Sequence, residues 1–255
     1  MKRWIVAAGL AAWTALAGPG GAAVHEIGWT TTLAGALDTA KQDRRPVLVD
    51  VWAVWCVPCK EMERTTYADP QVVAAVNEGF VPLKVDADVH EAFVERYGVD
   101  AFPTLLFLDH EGNEISRMRG LVAAPELLAR VGPVAAGYAG YMQARQAEAS
   151  AGDLQRAAAY LVTAGNADGA VQLLKRGNRG RKKAPAAERE AAELALGLAQ
   201  LAADDPRAAA KTFRKLDVAE TGDATRTEAQ RWLARCAGDD AERPAAAAQR
   251  LSGSR

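Results

Sequence analysis

The sequence has few of the residues that hold metals or cross-link a chain. Among 255 residues there are only three cysteines, Cys56, Cys59 and Cys236, and the only histidines are His25, His90 and His110. A structural zinc site takes four Cys or His ligands, usually in paired clusters. No second pair accompanies Cys56 and Cys59, so the sequence argues against a metal site.

The chain also lacks a net charge of either sign and, beyond its first residues, a long apolar run. Thirty-one basic and 32 acidic residues leave a formal charge of −1. Such a balance creates no global field that would attract nucleic acid or an anionic membrane. The composition is 49% hydrophobic, which can supply the core of one large or two ordinary domains. We therefore expect a globular protein with no nucleic-acid partner.

The first 23 residues, MKRWIVAAGLAAWTALAGPGGAA, have the pattern of a secretory signal peptide. Two basic residues precede an uncharged run from Trp4 to Ala17, and helix-breaking and small residues follow. As a helix this run would rise about 21 Å, short of a hydrocarbon core of about 30 Å, so an uncleaved anchor is the weaker alternative. The pattern predicts cleavage after Ala23 or Ala17 and an exported, periplasmic or otherwise extracytoplasmic protein.

Residues 24–133 alternate between helical and strand patterns. The apolar spacing predicts strands at 47–54, 80–88, 104–109 and 114–120, and helices at 33–41, 59–67, 90–97 and 124–131. The helix at 59–67 is expected either to extend to residue 77 or to resume after the ADP at 68–70. Gly132 and Pro133 are expected to end the last helix. This order indicates an α/β domain in which a mixed central sheet is covered by helices.

Residues 134–250 are rich in alanine and contain no β-branched strand run. Helix breaks are expected near Gly152, Gly165, 177–185, 204–206 and Gly222. Similar helix openings recur without one fixed period, which leaves open a TPR-like array of helical hairpins or an unrelated bundle. The sequence thus predicts an all-α second domain, followed by a flexible tail at 251–255.

Cys56 and Cys59 stand three residues apart in VDVWAVWCVPCKEMERTTY. A disulfide that closes so short a loop removes little chain entropy, so a purely structural cross-link is not expected. A cysteine at the start of a helix has its thiolate stabilised by unpaired backbone N–H groups. The spacing therefore indicates a redox pair, with Cys56 as the nucleophile and Cys59 as the resolving thiol.

The segments LVDVWAVWCVPCK and FPT (102–104) together resemble a thioredoxin-fold protein over residues 27–131. Trp55 before the first cysteine and Pro58 before the second belong to that pattern. The resemblance implies that Pro103 follows a cis peptide bond and faces the disulfide. It also implies that Phe102, with Trp55 and Pro58, contacts an extended substrate segment.

Two charged residues match the same family. Asp50 lies inside an apolar strand, where an unpaired carboxylate is costly, and stands six residues before Cys56. The resemblance implies that Asp50 is the buried acid that assists proton removal from the resolving cysteine. Lys84 matches the lysine beside that acid, and the alternative for both residues is a strand position that points to water.

The helix start CKEMERTTYADPQV narrows the resemblance. Arg64 stands where ordinary thioredoxins have a proline. The segment is similar to the C-terminal thioredoxin-like domain of thiol:disulfide interchange protein DsbD and its exported relatives. That likeness implies an exported thiol-disulfide oxidoreductase without a bound cofactor, which reduces disulfides of protein substrates. Its partners would be those substrates and an upstream thiol reductant, such as a membrane electron donor.

Three alternatives stay open. The protein is a disulfide oxidase, an isomerase, or a TPR-like protein-binding or chaperone-like module with an accessory thioredoxin domain. The basic stretch KRGNRGRKK (175–183) is interpreted as a solvated loop between helices, and Cys236 as a small packing residue.

Overall fold

The structure is a computed structural model that describes residues 26–146, 149–238 and 240–253. The predicted signal peptide, 1–23, lies outside these residues. Among the residues described, no helix is both long and apolar enough to cross a membrane.

The first part of the chain is built on a four-stranded mixed sheet. Its elements are α1 (Leu33–Asp43), β1 (Val47–Trp52), α2 (Val57–Arg64), α3 (Pro70–Gly79), β2 (Val81–Asp86), α4 (Glu91–Tyr97), β3 (Thr104–Leu108), β4 (Glu114–Arg119) and α5 (Ala124–Ala144). The strand order is β2-β1-β3-β4; β1 pairs parallel with β2 and antiparallel with β3, and β4 is antiparallel to β3. The four predicted strands and the mixed sheet are confirmed. Between residues 59 and 77 the helix resumes, because α2 ends at Arg64 and Asp69 caps a new helix at Pro70.

The sheet has a different hydrophobic core on each face. Along β1, the alternation of a strand places Leu48 and Asp50 on one face and Val47, Val49 and Val51 on the other. Leu48 belongs to a core that includes buried residues of α2, α3 and α5, whereas the three valines pack in a core with α1 and α4. Asp50 therefore points toward the face that α2 covers.

Helix α5 continues through the expected stop. The predicted end at Gly132 and Pro133 is wrong, since the helix runs without interruption to Ala144. Buried side chains recur along one stripe on both sides of the proline: Leu127, Val131, Val134, Tyr138 and Tyr141. A proline inside a helix costs about 3 kcal/mol, and burial of this continuous stripe offsets that cost. The helix thus crosses the predicted domain boundary at 133/134, and the division of the chain into domains stays a prediction.

The second part of the described chain is helical. It contains α6 (Ala151–Thr163), α7 (Ala167–Gly180), α8 (Ala186–Ala202), α9 (Pro206–Arg214), α10 (Asp223–Ala237) and α11 (Arg243–Ser252). Ser150 begins α6 with a capping box, and Asn166 and Asp205 cap α7 and α9 through their side chains. These caps lie at or next to the expected helix openings.

Two sequence expectations about this part need correction. The stretch 175–183 is not a loop throughout, because α7 extends to Gly180 and only 181–185 connect α7 with α8. Residues 251 and 252 are not a flexible tail, because α11 includes them and Leu251 is buried. In α11 the burial of Leu251 is apolar burial that a local reading of the sequence does not capture.

The last helix folds back on the earlier ones. Helix α11 packs against both α6 and α8, and α6 also contacts α8. An ideal repeat array differs, because each of its repeats contacts only its neighbours. The TPR-like assignment therefore stays a prediction.

The sheet and the helical part share one core. One contiguous cluster of buried residues includes members from Ile27 and Leu48 through to Leu251. Polar contacts reinforce the joint: the Asn166 amide donates to the carbonyl of Ile115 in β4 at 2.9 Å. Arg145, directly after α5, donates to the buried Asp109 carboxylate at 2.8 Å. The helical part is thus fixed against the edge of the sheet that lies at β4.

Candidate active site

The two predicted redox cysteines lie where β1 leads into α2, and they form a disulfide. Cys56 is the N-cap residue of α2, and its sulfur accepts a hydrogen bond from the Cys59 backbone N–H at 3.1 Å. Pro58, one position inside the helix start, has no N–H to leave unpaired. When the pair is reduced, the same N–H group and the helix dipole stabilise a Cys56 thiolate.

An exposed apolar rim surrounds the disulfide. Both sulfur-bearing residues are buried, whereas Trp55 is 63% exposed and its neighbours Val54 and Val57 are exposed as well. The Trp55 indole N–H donates to the Asp88 carboxylate at 3.2 Å, which holds the ring in place. Such a rim offers contact area to a polypeptide placed over the disulfide.

Phe102 and Pro103 close the other side of the site. The peptide bond between them is cis, so the sequence prediction is confirmed. Phe102 packs against the cluster of Ala53, Cys56 and Cys59, and its ring meets the Trp55 ring edge-on, with 5.7 Å between centroids. The structure thus brings Trp55 and Phe102 together beside the disulfide, with the buried Pro103 next to Phe102 in the chain, while Pro58 lies exposed between the two cysteines.

Asp50 is buried in the middle of β1 and is only 2% exposed. Its register partner on β2 is Lys84, whose Nζ lies 3.9 Å from Asp50 Oδ2. Burial raises the pKa of Asp50 to about 6, although Lys84 and the Tyr67 hydroxyl oppose that rise. An acid that titrates there exchanges protons near neutral pH.

Lys84 links the buried acid to the surface. Its ammonium group also forms an ion pair with Glu63 of α2 and lies over the Trp52 ring, 5.0 Å from the centroid. Desolvation lowers the pKa of Lys84, and the charge of Asp50 partly restores it. The two predicted charged residues therefore form one network with Glu63.

The sequence analysis missed Glu63 and Tyr67 as members of this network. Cys59, Glu63 and Tyr67 follow one another at intervals of four, which on a helix places side chains on one face. That spacing was the signal available in the sequence. It indicates that Cys59, Glu63 and Tyr67 lie on the same side of the segment. α2 ends at Arg64, yet the Tyr67 N–H still donates to the Met62 carbonyl at 2.9 Å and keeps the side chain against the core.

A disulfide at a helix start, a cis-proline beside it and a mixed sheet with helices on both faces define the thioredoxin class of fold. Comparison with known proteins agrees, because the family model of the thioredoxin-like domain matches residues 33–135. Residues 33–135 are thus a thioredoxin-like domain, and this part of the chain is similar to DsbD.

The similar curated proteins are much longer than this chain. DsbD of Cronobacter sakazakii is 38% identical over 92 residues, which are 34% of this chain and 16% of that protein. DsbD of Vibrio vulnificus is 37% identical over 101 residues, which cover 37% and 17%. Among solved structures, the oxidised C-terminal domain of Neisseria meningitidis DsbD is 28% identical, with a TM-score of 0.35; the match covers 39% of this chain and 93% of that one. The matched segment spans only about a sixth of the length of these DsbD proteins.

Proposed function

We propose that this protein is an exported thiol-disulfide oxidoreductase that reduces disulfides in protein substrates. The observation that carries the proposal is the Cys56–Cys59 disulfide at the start of α2, which lies beneath an apolar rim and close to the cis Phe102–Pro103 bond. The homology to DsbD supports the same chemistry.

The reaction begins with the reduced pair. The Cys56 thiolate attacks one sulfur of a substrate disulfide; a Cys56–substrate disulfide forms, and the other substrate sulfur leaves and takes up a proton. Trp55 and Phe102 hold the substrate segment over the site. Cys59 follows Cys56 by three residues, about one helical turn, so it is close enough to attack the mixed disulfide in the second step.

Cys59 then loses its proton, with Asp50 as the base, and attacks the Cys56 sulfur. The mixed disulfide breaks, the second substrate thiol is released, and Cys56 and Cys59 become the disulfide. Two electrons have moved from the protein to the substrate. An upstream dithiol, such as a membrane electron donor, must return two electrons before the next cycle.

Substitution of single cysteines tests the chemistry. Cys56→Ser should abolish reduction of a model protein disulfide, and Cys59→Ser should accumulate the mixed disulfide, visible as a covalent adduct without reductant. Cys236→Ser is the matched control, because this cysteine lies in the helical part and should leave the rate unchanged. Equal rates for the wild type and Cys56→Ser would refute the proposal.

The direction of electron flow has its own measurement. Reduction potentials in this fold range from about −270 mV for reductants to about −120 mV for oxidants. Equilibration of the Cys56/Cys59 couple with glutathione should give a value near the reducing end. A value near −120 mV would reassign the protein as an oxidase.

Export is tested on the mature protein. Mass spectrometry of protein purified from the extracytoplasmic fraction should find an N-terminus at residue 24 or 18. Intact protein that begins at Met1 and stays in the cytoplasm would contradict this part of the proposal.

A further inference from the structure

Two buried polar atoms beside the active site lack a hydrogen bond of ordinary geometry. Among the described residues, the Asp50 Oδ1 atom and the Tyr67 hydroxyl are both shielded from water without such a bond. A buried polar group without a hydrogen bond lowers the stability of the fold. Two such atoms on neighbouring side chains therefore need an explanation.

The two groups are chemically complementary. A carboxylate oxygen only accepts hydrogen bonds, and a phenol can donate one. They also affect each other: the Tyr67 hydroxyl lowers the pKa of Asp50, and Asp50 together with burial raises the pKa of Tyr67 well above its ordinary value. Tyr67 therefore keeps its proton over the whole range in which Asp50 titrates, and it remains a donor throughout.

The position of Tyr67 is fixed by its surroundings. Its ring meets the Trp29 ring edge-on, with 5.2 Å between centroids, and the residue is buried in the core shared with α3 and α5. Trp29 in turn lies beneath the Lys84 ammonium group, 5.8 Å from the ring centroid. The phenol is thus held by packing and not by another hydrogen bond.

We propose that Tyr67 is a positioning residue that donates a hydrogen bond to the ionised Asp50 and thereby controls the pH at which Asp50 accepts the proton of Cys59. This inference rests on the proposed function, in which Asp50 is the base of the resolving step. In this role Tyr67 acts on Asp50 and does not contact the substrate.

The other charged groups near Asp50 do not replace this hydrogen bond. Lys84 approaches from β2 on the Oδ2 side, and its ammonium group is shared with Glu63 of α2. On the β3 side, the register partner of Asp50 is the apolar Leu105. Tyr67 is the remaining group that opposes the rise in the pKa of Asp50 caused by burial.

The direct test is Tyr67→Phe in the full chain. Carboxyl ¹³C NMR of the oxidised protein follows the titration of Asp50 without any substrate. Loss of a hydrogen bond to a charged group should weaken the acid dissociation of Asp50 about tenfold, so the midpoint moves to higher pH. The pH profile of the resolving step, measured by decay of the Cys56 mixed disulfide, should move in the same direction.

Tyr160→Phe is the matched control. It also removes a buried hydroxyl, one that donates to the Val134 carbonyl at 2.9 Å, but it lies in the helical part. This variant should leave the Asp50 midpoint where it is in the wild type. An unchanged midpoint in Tyr67→Phe would overturn the inference.

A second measurement needs no substitution. In the wild type, the ¹³Cζ resonance of Tyr67 should shift with the same midpoint as Asp50, and a resonance that stays constant through that range would overturn the inference. The two proposals fail differently. A Tyr67-dependent titration in a protein that reduces no disulfide refutes the proposed function, whereas normal reduction with an unchanged midpoint refutes the role of Tyr67.

Discussion

At the scale of single residues, Asp50 is a buried carboxylic acid whose position lowers the stability of the fold at neutral pH. Its folded pKa of about 6 lies above its ordinary value of 3.8, so the folded chain holds a proton that the unfolded chain has already lost between these values. A group of this kind stabilises the fold fully below about pH 4, and that contribution is lost as the pH rises through about 6. At neutral pH the burial of Asp50 therefore lowers the free energy of unfolding.

Asp50→Asn should consequently stabilise the protein at pH 7. The gain should be up to about 3 kcal/mol, because a difference of one pKa unit corresponds to about 1.4 kcal/mol. Urea denaturation of the oxidised protein at pH 7 and pH 4 measures it, and the gain should shrink toward zero at the lower pH. Asp38→Asn, at an exposed position of α1, is the control and should change stability by less than about 0.5 kcal/mol. A destabilised Asp50→Asn at pH 7 would contradict this account.

Much of the site could be predicted because its residues are local or have a characteristic spacing. Cys56, Cys59 and Pro58 lie in one segment, and the family pattern located Asp50, Lys84 and Pro103. Glu63 and Tyr67 were missed because charge and aromatic character alone do not indicate which distant side chains a residue will contact. Only the packed structure establishes that Tyr67 lies beside a carboxylate.

At the scale of elements, α5 was the largest error. A glycine followed by proline is a strong local stop, but the buried stripe from Leu127 to Tyr141 is continuous across it. At this point the stability gained by tertiary burial outweighs the low helix propensity of glycine and proline. The split between α2 and α3 is the opposite case, because the Asp69-Pro70 cap in the sequence allows the helix to resume there, as it does.

Two glycines of α5 provide a matched test of its packing against α6. A Cβ atom at Gly137 would lie against the Tyr160 ring, closer than such atoms approach in proteins, whereas one at Gly140 meets nothing within 4 Å. Gly140→Ala should stabilise the protein by about 0.5–1 kcal/mol through helix propensity. Gly137→Ala should destabilise it by about 1–3 kcal/mol through overpacking. Thermal and urea unfolding measure both, and equal effects would show that α5 and α6 do not pack this closely.

At the scale of the whole molecule, the connection between the two parts depends on a buried charge. The Asp109 side chain is fully buried and accepts hydrogen bonds from the backbone N–H groups of Glu111 and Asn113 as well as from Arg145. Sequence reasoning could not find this connection, because its partners are 36 residues apart and no local pattern joins them.

Arg145→Ala should lower the free energy of unfolding by about 1–3 kcal/mol, because the buried Asp109 carboxylate loses its charged partner while keeping its backbone donors. Arg156→Ala is the control: its ion pair with Asp153 is exposed on the arginine side and should contribute about 0.5 kcal/mol or less. Urea denaturation of both variants measures the difference. Equal losses would contradict the structural role of Arg145.

The shared core also predicts how the molecule unfolds. The full chain should melt in one cooperative transition, and a chain that ends at residue 133 should be much less stable, because Tyr138 and the helices that follow no longer cover the sheet. Calorimetry and dye binding to exposed apolar surface measure this. Equal melting temperatures for the two chains would contradict it. Client binding by the helical part is therefore better tested with surface substitutions in the full chain than by deletion.

The passage of α5 through Pro133 has a consequence for how the protein is made. The edge strand β4 is complete once residue 119 is synthesised, but its partners Ala164 and Asn166 come later in the chain. At about 5–20 residues per second, the stretch from residue 119 to 166 takes roughly 2–9 s to synthesise. During those seconds β4 lacks the partners that Ala164 and Asn166 provide, while both active-site cysteines have already been made.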